Sequence, residues 1–117
     1  MNNEVIPYID QLPEFSQIEF LRKLEAQLAK DLYPVEWGEI AATPTVEKIV
    51  SRLHESVSLL IEKHGSSLGQ VLYRIDMPEG KIRSQMASTA ADQRVALLAS
   101  QVLEREAKKV WLRMHFS

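Results

Sequence analysis

Between Pro44 and Gly65 the chain carries Val46, Ile49, Val50, Leu53, Val57, Leu60 and Ile61. At about 100° of turn per residue all seven fall on one side of a helix. Thr43 suits a helix cap, Pro44 the first helical position and Gly65 the residue just past the end. The spacing therefore predicts a helix over 44–64. Glu47, Ser51, Glu55, Ser58 and Glu62 lie on one polar side, Lys48, Arg52 and Lys63 on another, and Leu59 on the outer face. A stripe this apolar must be covered, so the rest of the chain has to supply the covering.

It supplies more helices. No stretch alternates apolar and polar residues cleanly, so no strand is expected. Phe20, Leu21, Leu24, Leu28 and Leu32 form a second stripe, with a start at Pro13 or at a Ser16/Glu19 capping box. Tyr33-Pro34 closes it. Residues 33–43 read either as a short helix or as a loop that tucks Trp37 onto the core. Leu68, Val71, Leu72 and Ile75 fit a short helix broken by Asp76-Met77-Pro78, and another short one runs from Pro78 to about Ala87. The last helix, near 90–115, starts at Thr89 with Asp92 as a capping box. Its apolar residues, Val95, Leu98, Ala99, Val102, Leu103, Ala107, Val110 and Met114, span nearly half the circumference. An arc that broad packs on two or more neighbours, or on a partner chain.

The fold class expected is all-α: a single-domain bundle of four to six helices over 1–117, with 1–12 as a flexible or short helical arm. At 117 residues and 45% hydrophobic, one domain with a core of its own is the default. A net charge of −2 at that hydrophobicity does not describe a disordered chain. No run approaches the length of a membrane span, and the acidic start Met1-Asn2-Asn3-Glu4 lacks the form of a secretion signal. The expected location is cytoplasmic.

The absence of cysteine excludes disulfides, thiolate zinc sites, iron–sulfur clusters and a cysteine nucleophile. His54, His64 and His115 lack the spacing of metal ligands and read as structural. No GxSxG, HExxH or phosphate-binding loop occurs, and Gly65-Ser66-Ser67-Leu68-Gly69 reads as a helix–helix turn. No catalytic residue, metal or cofactor is expected. One acid stands apart: Glu106 projects at the angle of Val95 and Val102, inside the apolar arc. Either the end of the helix leaves the core there, or Glu106 is buried and paired within the chain or across a dimer, with Lys109 and Arg113 as local partners.

Charge is unevenly placed. Residues 1–40 hold eight acids and three bases, 41–80 five and four, and 81–117 three and seven. Acidic and basic thirds can complement one another within the fold or across a two-fold axis. Arg94, Arg105 and Lys108 lie within roughly 60° of each other on the last helix and could face Glu14, Glu19 or Glu25 of a second copy. The leading expectation is a non-enzymatic protein-interaction module that forms homodimers through Arg94, Val102, Arg105, Glu106, Lys108 and Val110. The alternative is a DNA-binding regulator with a helix-turn-helix at 68–88, in which Arg74, Lys81 and Arg83 meet phosphates. Against it stand Leu72 where that motif prefers alanine, Asp76 where it prefers glycine, and Gly80 in the reading helix.

Leu72-Tyr73-Arg74-Ile75-Asp76, with Glu79 and Ile82 and a terminal helix carrying Glu104-Arg105-Glu106-Ala107-Lys108-Lys109, resembles short uncharacterised helical proteins of Bacteroidetes. The resemblance covers the C-terminal half. It implies a small helical domain and carries no activity.

Overall fold

The computed structural model describes residues 6–116. Among them are six α-helices and no strand: α1 (Ile6–Ile9), α2 (Glu14–Asp31), α3 (Val46–Lys63), α4 (Leu68–Ile75), α5 (Glu79–Ala87) and α6 (Arg94–Phe116). Single 3₁₀ turns at Gly65–Ser67 and Ala91–Gln93 lead into α4 and α6.

The long helices form where the stripes lie, but their ends are set by other residues than the sequence suggests. Thr45, not Thr43, caps α3: its hydroxyl accepts the Lys48 backbone N–H at 3.2 Å, and Pro44 sits buried ahead of the helix. Ser16 lies inside α2, which starts directly after extended Pro13, so the expected capping box does not form. Thr89 is likewise no N-cap. Its hydroxyl donates to the Gln85 carbonyl at 2.6 Å and ties down the end of α5, while α6 begins five residues later. Asp76 ends α4 in the left-handed region at φ 70°, and the Met77 N–H reaches back 2.8 Å to the Leu72 carbonyl. That pattern satisfies the carbonyls a helix end leaves free.

Residues 33–45 form a loop, with the Tyr33–Pro34 peptide cis. Val35 and Trp37 enter the core from it, and Gly38 takes φ +94°, a conformation that favours glycine. Two arginines hold the loop down. Arg22 Nε donates to the Ala42 carbonyl at 2.8 Å, and Arg52 Nη1 to the Glu39 carbonyl at 2.7 Å. Arg52 also covers the Trp37 ring, 5.5 Å from its centroid, and pairs with buried Glu25 at 3.5 Å.

One core gathers these elements. Phe20, Leu24 and Leu28 of α2, Ile49, Leu53 and Val57 of α3, and Leu98, Val102 and Leu103 of α6 are all buried in it. Tyr8, Ile9 and Leu12 pack on its edge, with the Tyr8 ring tilted against Trp111 at 5.4 Å, so the short helix α1 and the turn after it lie against the core. Residues 1–5 lie outside the described residues. The broad arc of α6 is consumed inside the chain: its apolar surface meets α2 on one side and α3 on the other. Six of the eight residues of the arc are buried, and Val95 and Met114 are half-buried. Among the described residues, no helix is long and apolar enough to cross a membrane.

Candidate interaction site

The six residues expected to form a dimer face divide into two groups. Val102 and Glu106 are sealed inside their own chain, at 1% and 0% exposure, and Val110, at 3%, shows only an edge at the surface. Arg94 caps the end of α5 through the Met86 and Thr89 carbonyls, and Arg105 pairs with Asp76 at 2.6 Å. Only Lys108 remains an exposed cation. On the other side of the expected contact, Glu25 is buried against Trp37 and Arg52, leaving Glu14 and Glu19 at the surface. The expected α6 interface is therefore replaced by intramolecular packing.

Glu106 is fully buried, and what surrounds it is polar. Lys109 Nζ stands 3.0 Å from Glu106 Oε2, 2.9 Å from Asp31 Oδ2 and 3.2 Å from the Arg74 carbonyl. Gln27 Nε2 donates to Asp31 Oδ2 at 2.7 Å, and Arg113 donates to Gln27 Oε1. As a carboxylate, Glu106 receives no well-directed hydrogen bond at either oxygen. Burial and the neighbouring Asp31 push it up to about 8, against which Lys109 works only in part. It is an acid at neutral pH, with the Asp31 carboxylate to accept its proton. For Asp31, burial acts upward, but hydrogen bonds from Lys109, Gln27 and Glu106 outweigh it and hold the carboxyl below its ordinary range. One proton shared by two acids beside one ammonium leaves the cluster neutral.

Glu106 and its neighbour Lys109 stand out in the sequence, whereas Asp31 does not. The signal was present: Asp31 lies three residues after Leu28 and seven after Leu24, on the buried stripe of α2.

Directly outside the cluster, α2 and α6 run antiparallel, as the Gln27–Arg113 and Asp31–Lys109 contacts require, and an open groove lies between them. Its apolar floor is Val110 and Met114; Ala26 and Gln27 form one wall, and the rim carries Lys23, Lys30 and Arg113 with one acid, Glu19. Lys23 leans toward Glu19 at 3.9 Å. Lys30 is exposed and has no partner among the described residues. The rim is net positive although its lysines rise from the acidic third of the sequence, because α2 turns Glu25 and Asp31 inward and sets only Glu19 beside the outward Lys23 and Lys30.

The α4–α5 corner does have the order helix, turn, helix, and left-handed Asp76 occupies the place where that motif favours glycine. The expected objection to Asp76 thus falls, since aspartate tolerates that region better than most side chains. The phosphate contacts fare worse. Arg74 is held by the Asp31 and Tyr33 carbonyls and Arg83 by Glu79 at 2.7 Å, leaving Lys81 alone exposed and unpaired among the described residues. His64 closes α3, and His115 stacks on Trp111 with centroids 3.9 Å apart. No cluster of metal-binding side chains occurs among the described residues. Comparisons with family models, curated proteins and solved structures return no match.

Proposed function

We propose that this chain is a helical protein-interaction module that acts by binding, and that it self-associates by receiving a helix in the α2–α6 groove. The observation that carries this is the groove's make-up: an apolar floor of Val110 and Met114 beneath a net-positive rim of Lys23, Lys30 and Arg113 with Glu19. A groove of this kind takes the apolar face of an amphipathic helix while its rim sets orientation. The groups best tuned for proton transfer, Glu106 and Asp31, are sealed at 0% and 3% exposure, where no substrate atom reaches them. Their service is to hold α2 and α6 at a fixed separation, which keeps the groove open.

The test is mass in solution by sedimentation from micromolar to millimolar concentration. The wild type should pass from monomer to a larger species. Met114→Asp, which places a charge on the half-buried floor, should stay monomeric and folded by circular dichroism. A wild type that remains monomeric throughout contradicts the proposal.

A further inference from the structure

Resting on the self-association proposed above, we infer that the helix received in the groove is α3 of a second copy, docked antiparallel to α2 through Glu55, Leu59 and Glu62. All three side chains are exposed, and Leu59, at 45%, is the one large apolar residue exposed on α3. Glu55 has no partner among the described residues, and Glu62 only a 3.2 Å hydrogen bond from Ser58.

The spacing fits. Glu55 and Glu62 are seven residues apart, as are Lys23 and Lys30, so each pair spans roughly 10 Å, two helical turns. Run antiparallel, Glu55 meets Lys30, and Glu62 meets Lys23, whose ammonium it shares with the long 3.9 Å pairing to Glu19. Leu59, four residues after Glu55 and three before Glu62, then arrives level with Ala26, four before Lys30 and three after Lys23. A parallel helix would bring Leu59 level with Gln27 instead, so the direction is chosen by the sideways offset.

The sideways offset agrees. On α3, Leu59 is turned about 40–60° from the line of the two glutamates; on α2, Gln27 is turned by about the same angle, in the same sense, from the line of the two lysines. Gln27 marks the side on which α6 lies, through its bond from Arg113. Helices facing each other antiparallel bring offsets of the same sense onto the same side. Leu59 therefore lands toward α6, over Met114 and Val110, and the two charge pairs flank it. A two-fold axis makes the same contact twice.

Charge reversal tests the pairing. Lys30→Glu alone and Glu55→Lys alone each set like charges against one another in both copies of the contact, and each should weaken association about tenfold or more, equivalent to ~1.4 kcal/mol. Mixed in equal amounts, the two variants bring opposite charges together at both contacts again. The two reversed side chains face each other in one, and native Lys30 faces native Glu55 in the other. Association should then return to the wild-type level. Both sites are exposed, so folding should survive, as circular dichroism will show. If either variant unfolds, Lys23→Glu with Glu62→Lys carries the same test. Failure of the mixture to associate better than its components overturns the pairing; if Met114→Asp still abolishes association, the groove is in use with a different occupant. A monomeric wild type removes the proposal beneath as well.

Discussion

Glu106 shows how one side chain can make stability depend on pH. Its carboxyl is raised from 4.5 to about 8 by burial and by Asp31. A raised folded-state value means that stability is complete below the unfolded value, near 4.5, and is lost as pH climbs through 8. The loss is a few kcal/mol at most, at about 1.4 kcal/mol per pH unit of difference. Asp31, lowered from 3.8, acts in the opposite sense at the acid end: its contribution is present above that value and disappears as pH falls through the folded one. Glu106→Gln keeps a donor for Asp31 and an acceptor for Lys109 without titrating. Denaturant unfolding should therefore find the variant close to the wild type at pH 5 and more stable at pH 9. A wild type whose stability is flat between those values contradicts the buried shared proton.

The elements were legible to different degrees. The stripe of α3 needed only local spacing, and the helix starts two residues inside the expected 44–64 and ends one residue inside it. Helix ends were less legible, because Thr43 and Thr45 are equally good caps in sequence and only the backbone chooses between them. The α2–α6 groove was invisible. Lys23 and Lys30 read as surface charge on an acidic segment, and their neighbours Val110 and Met114 lie about eighty residues or more away in the chain. Glu25, expected to face a second copy, and Arg52, expected on an outer polar side, instead fix the longest loop between helices. With Arg52 replaced by alanine, Trp37 loses its cover, Glu39 its donor and buried Glu25 its partner. Arg52→Ala should thus shift Trp37 fluorescence to the red and speed amide exchange over 35–42 while α3 stays helical. Unchanged emission would mean that core packing of Trp37 holds the loop without the arginine.

At the scale of the whole molecule, the charge asymmetry of the sequence is resolved twice. Inside the fold, Asp31 meets Lys109, Glu25 meets Arg52 and Asp76 meets Arg105, so many of the expected intermolecular partners are already spent. Among the charges left outside are lysines along α2 beside an apolar floor, and glutamates along α3 around one leucine. The charges left over at the surface, rather than the totals of each third, then decide how two copies meet. Amide chemical shifts followed as the protein is diluted from millimolar to low micromolar report this most directly. Signals from 23–30 on α2, from 55–62 on α3 and from 110–114 on α6 should move together along one binding curve, while those of α5 stay still. If nothing moves, or if the moving signals belong to α5 and the α4–α5 corner, the α2–α6 groove is not where this molecule meets itself.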